Sequence, residues 1–203
     1  MPRALWACVT FLSTLVVVVA VRRILYLSSP AMGLDGGFAV HALLTLSHVV
    51  SGIVFILLGP FQFMAGLRRR RPTLHRWIGR VFLVDSVFVG VTALVMGPLM
   101  AIGGVLETAA TLFFGLLFLF ALVRGFSAIR GRRVAEHRRW MIRAYAIGLG
   151  VATVRPIVGV FFATSRITHL TPPDFFGIAF WLGFTLSIAA GELWIHTQLA
   201  RRN

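Results

Sequence analysis

Six apolar runs, near positions 4–27, 39–65, 77–97, 105–123, 141–163 and 175–198, alternate with short polar connections along the chain. Each is close to the ~20 residues that a helix rising about 1.5 Å per residue needs to cross the hydrocarbon of a bilayer. The pattern predicts an all-α polytopic membrane protein, a bundle of six transmembrane helices forming a single transmembrane domain over 1–203. The second run carries an internal stripe. His41, Thr45, His48, Gly52, Phe55, Gly59 and Gln62 recur at steps of four and three, which keeps them on one helix face. An unpaired imidazole or amide in hydrocarbon costs several kcal/mol, so this face is expected to turn toward other helices or a cavity.

Composition supports the membrane assignment, with 58% hydrophobic and 13% charged residues among 203, against about 25% charged in soluble domains. The net charge of +14 comes from arginines gathered at the ends of the runs. A basic groove for nucleic acid would need them spread over a soluble surface, so nucleic acid is not an expected partner and the bilayer is. Arg68, Arg69, Arg70, Arg71, Arg76 and Arg80 flank the second connection, and Arg124, Arg130, Arg132, Arg133, Arg138, Arg139 and Arg143 flank the fourth. Arg3, Arg201 and Arg202 add to the same side, whereas Arg22, Arg23 and Arg166 fall on the other, which also holds Asp35, Glu107 and Asp174. By the positive-inside rule both termini and the basic connections are expected in the cytoplasm. The first run exceeds a signal-peptide core and is followed by Arg22 and Arg23, so it reads as an uncleaved helix.

The chemistry left open is narrow. One cysteine, Cys8, excludes a disulfide framework, and with no lysine there is neither a Schiff-base nor a Walker-type Lys. No nucleophile elbow or zinc-protease motif occurs, so the reading leans away from an enzyme. His48 lies about 13 Å inside the second span and Arg155 about 12 Å inside the fifth. The two are thereby matched in depth and are candidates to line a polar cavity that binds a small anionic ligand. Gln62 extends that wall toward the cytoplasm, and Asp85 or Glu107 is a candidate ion-pair partner for Arg155.

His75, His137 and His196 lie near the cytoplasmic ends of three spans, where two imidazoles from different helices can hold a haem iron. His41 and His48 sit about 10 Å apart along one helix, too far to share an iron. Glu192 and His196 share a face at a spacing of four that suits a metal or pairing with nearby arginines. A further outer metal site from His41, His169 and Asp174 is geometrically open. Leu74-His75-Arg76-Trp77 with Arg80 is echoed by His137-Arg138-Arg139-Trp140 with Arg143, either as interfacial anchors or as a specific role for the two histidines.

Taken together, His48 with Gly52, Leu58-Gly59-Pro60-Phe61-Gln62-Phe63, Leu67-Arg68 and Leu74-His75-Arg76-Trp77-Ile78-Gly79-Arg80 resemble the bacterial membrane proteins of domain-of-unknown-function family 2306. The run from His137 through Arg143 to Ala146, followed by Arg155, is similar to the same family's second signature. The resemblance covers about 41–160 and implies a multi-helix membrane protein without an assigned activity, in which His48, Gln62, His75, His137 and Arg155 belong to one pattern. The expectation is an integral membrane protein that binds a small ligand or redox cofactor in a polar intramembrane cavity. A small-solute transporter and a non-catalytic assembly protein are the alternatives.

Overall fold

The computed structural model describes residues 3–27 and 40–200, so Asp35, Arg201 and Arg202 lie outside the described residues. The chain divides into two compact units, Met1–Met100 and Ala101–Asn203. In the first, α1 (Arg3–Leu27) packs on α2 (Ala42–Phe63), α2 packs on α4 (Pro72–Met100), and a short α3 (Ala65–Arg70) joins them. The second is formed by α5 (Gly104–Arg130), α6 (Val134–Thr168) and α7 (Pro172–Ala200), each in contact with the other two. Helices α2, α4, α5 and α6 and the stretch Pro172–Thr197 are long and apolar enough to cross a membrane, and Val9–Arg22 within α1 is a shorter apolar stretch. A helical membrane protein needs this much: each helix satisfies its own backbone groups where the solvent offers none.

The helices outrun the apolar runs that announced them. α5 continues past 123 to Arg130, and α6 begins at Val134 rather than near 141. Hydropathy marks only the hydrocarbon-embedded part, and the added turns carry Arg and Trp, whose long side chains reach the headgroup layer. The second run breaks at Met64, whose extended backbone (φ −73°, ψ 110°) ends α2 and opens α3. Helix α3 is a single basic turn and a half that hydropathy does not register.

Packing in the second unit depends on glycines at helix crossings. A Cβ at Gly183 would stand 2.6 Å from Val154 Cγ2 and 2.8 Å from the Val154 backbone nitrogen. At Gly150 it would strike the Phe184 ring, and at Gly191 the Ala146 Cβ. Small residues at these crossings let α6 and α7 approach closely, which is how membrane helices gain contact when hydrophobic association is unavailable. Around them Phe161 stacks on Phe175 (5.0 Å) and Phe114 on Phe184 (4.8 Å), and Trp181 Nε1 donates to the Leu106 carbonyl (3.2 Å).

Gly183→Ala should therefore lower stability in detergent by about 1–3 kcal/mol, the usual cost of overpacking. Gly52, where an added Cβ meets nothing within 4 Å, should tolerate Ala without loss. Thermal unfolding followed by circular dichroism separates the two.

Candidate functional site

Helices α2 and α4 run antiparallel with a polar seam between them. At the end away from the arginines, Thr45 Oγ1 reaches the Met100 sulfur (3.9 Å) and His48 Nδ1 lies 2.8 Å from Thr92 Oγ1. The single hydroxyl hydrogen of Thr92 is directed at its own helix, toward the carbonyls of Phe88 (2.8 Å) and Val89 (3.1 Å). When that hydrogen serves those carbonyls, the Thr92 oxygen accepts from the Nδ1–H tautomer of His48. Nearer the middle, Asp85 of α4 meets the Ser51 hydroxyl of α2, while its Oδ2 is buried with no hydrogen-bond partner among the described residues. Phe55 stacks on Phe82 (5.1 Å) below it. Toward the arginine-rich end Gln62 leans on Gly79, where a Cβ would lie 3.0 Å from Oε1, and its buried Nε2 is also without a partner among the described residues.

Beside this seam a groove of about 550 Å³ opens along the pair, lined by Ser51 and Val54 of α2 and by Trp77, Arg80, Val81, Val84, Asp85 and Phe88 of α4. The guanidinium of Arg80 lies over the Trp77 ring at 4.8 Å, at the arginine-rich end. Arg80 makes no ion pair among the described residues. Asp85 lies about 12 Å farther along the helix than Trp77.

The second unit treats its charges differently. Arg143 forms a two-point ion pair with Glu192, Nε to Oε1 at 2.5 Å and Nη2 to Oε2 at 2.9 Å, with its guanidinium over Trp140 at 4.9 Å. Glu136, in the first turn of α6, meets Arg124 (3.3 Å) and Arg133 (3.1 Å). At the opposite end the Glu107 carboxylate accepts the Gly103 backbone N–H (2.6 Å) at the start of α5, and Arg155 of α6 acts on it electrostatically.

Sequence-derived candidates thus separate. His48, Gln62 and Asp85 share the α2–α4 seam. His48 and Arg155 belong to different units, and each has a partner in its own, Thr92 and Glu107 respectively. Of the two carboxylates considered for Arg155, Glu107 is the one in its own unit, and Asp85 meets Ser51 instead. His137 bonds the Gly125 carbonyl through Nδ1 (2.8 Å). His196 lies at the same end of the antiparallel α6–α7 pair and acts electrostatically on Glu192. His75 stands in the first turn of α4, its N–H on the Arg71 carbonyl (3.1 Å). Asp174 is tied to the Thr171 hydroxyl and backbone N–H, and no group of three potential metal-ligating side chains occurs among the described residues. The Glu192–His196 spacing resolves as the arginine pairing. The echo appears as geometry, since Arg80 and Arg143 each cover the tryptophan three residues before them.

Thr92 and Ser51 were not singled out by sequence. A signal for Thr92 exists: it stands seven residues from Asp85, the spacing that also relates His41 to His48.

Long apolar helices with internal polar pairs and arginine-rich ends define a polytopic helical membrane protein. The family described as "Predicted membrane protein (DUF2306)" matches residues 45–195, and the chain belongs to that family. Neither the curated proteins nor the solved structures yield a match.

Removing Glu192 should strand the Arg143 guanidinium. Both side chains remain about one-third exposed, so the expected cost of Glu192→Ala is about 1–3 kcal/mol, between exposed and fully buried pairs. In thermal unfolding the double variant Arg143→Ala, Glu192→Ala should lose clearly less than the sum of the single losses.

Proposed function

We propose that the protein binds a small ligand within the bilayer, in the groove along the α2–α4 seam, with its arginine-rich ends in the cytoplasm of a bacterial inner membrane. One observation carries this reading: Asp85 lines a groove of about 550 Å³, and its carboxyl group keeps one oxygen, the buried Oδ2, without a hydrogen-bond partner among the described residues. A carboxyl group at this depth is costly unless something meets it, and intramembrane ionisable groups mark binding sites and pathways for that reason. Ser51 orients the carboxylate, the valines and Phe88 supply apolar walls, and Gln62 offers a second unsatisfied donor along the same seam. Dicyclohexylcarbodiimide, an apolar reagent for carboxyl groups, should label Asp85 in membranes, and peptide mass mapping should find that label absent from Asp85→Asn. An unlabelled Asp85 in wild-type protein would contradict an accessible groove.

A second reading is favoured by His137. A carbonyl only accepts, so the bond to Gly125 places the hydrogen on Nδ1 and presents Nε2 as a lone pair, the arrangement shown by metal-ligating histidines. On this reading His137 holds a haem-type cofactor with His196 as the candidate second ligand, and the iron supplies one-electron chemistry. Protein expressed with ample haem should then show a Soret band that His137→Ala abolishes without unfolding the protein. A colourless, iron-free preparation would exclude this reading while leaving the groove untouched.

A further inference from the structure

We infer that the occupant of the α2–α4 groove is a hydrophobic cation, an organic ion whose positive charge is shielded by apolar groups. The inference rests on the ligand-binding reading of that groove and adds the chemical class of the ligand.

Charge is distributed unevenly along the groove. Asp85 is the one acidic residue of α1, α2, α3 and α4, and it sits about 12 Å deeper than the interfacial Trp77. Ser51 satisfies part of the carboxylate, but Oδ2 is buried with no partner among the described residues. The other charged group on the wall is Arg80, and its guanidinium is already laid over Trp77 at the arginine-rich end. There the headgroup layer supplies water and phosphate to an arginine that is exposed. The uncompensated charge in the apolar part of the groove is therefore negative.

Chemistry that complements such a wall is restricted. A hydrated inorganic cation would have to shed its water shell against Val54, Val81 and Val84, which offer no oxygen in exchange, and one carboxylate with one hydroxyl falls short of the six or more oxygens that hard divalent ions take. An anion would meet Asp85 with like charge. A cation already dressed in apolar groups needs no replacement for its hydration, pairs with the carboxylate at low dielectric, and presents its exterior to the valines and to the faces of Phe88 and Trp77. Access is from the side, since Val81, Val84 and Phe88 are exposed along the helix flank, and such ions partition into bilayers unaided.

Two ions of matched size and opposite charge test this. Tetraphenylphosphonium and tetraphenylborate are presented to the purified full chain in detergent, and binding is measured by equilibrium dialysis. Tetraphenylphosphonium should bind wild-type protein and Asp85→Glu, and should bind Asp85→Asn at least tenfold more weakly; tetraphenylborate should not compete. Circular dichroism confirms that the Asn and Glu variants remain folded. Equal binding of the two ions, or undiminished phosphonium binding by Asp85→Asn, would overturn the cation assignment while leaving the groove an occupied site. If neither ion binds wild-type protein the assignment also fails, and the groove reading is then decided separately by carbodiimide labelling of Asp85.

Discussion

Hydrocarbon returns no hydrogen bonds, so every imidazole, hydroxyl, amide and carboxylate carried into it must find its complement in the protein or in something the protein holds. The polar residues of this chain can be followed almost one by one under that constraint. Thr92 bonds the Phe88 carbonyl of its own helix and meets His48 Nδ1 of α2. Ser187 of α7 donates to the Ala146 carbonyl of α6 (2.6 Å), and Ser86 to the carbonyl four residues earlier. Glu107 closes the start of α5, with Arg155 acting on it. Among the described residues the ledger stays open at Ser13 Oγ of α1 and at Asp85 Oδ2 and Gln62 Nε2, and the last two lie along the α2–α4 seam.

The two units resolve a shared motif differently. Each carries His-Arg, then Trp, then Arg three residues later near the start of a helix, and in each the arginine after the tryptophan covers its ring. In the second unit α7 supplies Glu192 to Arg143, giving a locked, two-point ion pair. In the first unit no acidic residue among the described residues pairs with Arg80, and the carboxylate along the groove, Asp85, meets Ser51. A structural anchor in one unit thus corresponds to an open, charged groove in the other. Tight glycine crossings at Gly150, Gly183 and Gly191 reinforce that contrast by closing α6 on α7 at those levels.

Much of the fold was legible because bilayer thickness imposes a length on apolar runs, and the later five were read within several residues of the helices they became. Hydropathy was silent on the interfacial turns and on α3, whose arginines belong to the headgroup layer. The polar stripe on α2 did locate a seam, since Thr45, Phe55 and Gly59 are buried and His48 and Gln62 are partly so. Depth, however, is a one-dimensional coordinate. It matched His48 to Arg155 across the chain; within its own unit His48 meets Thr92, on the helix that packs against α2, and Arg155 acts on Glu107. Helix adjacency decides partners, and spacing along a single helix does not encode it. Asp85 was visible as an intramembrane acid, but its role beside Ser51 required the α2–α4 register.

Native mass spectrometry of the protein released from bilayer nanodiscs tests the central claim most directly, that the open polar groups of the seam are met by a bound molecule. The account predicts a one-to-one adduct, distinct in mass from the nanodisc lipids, on wild-type protein, and its disappearance when Val84→Trp fills the groove. Bare protein released from both, or an adduct indifferent to Val84→Trp, would contradict it.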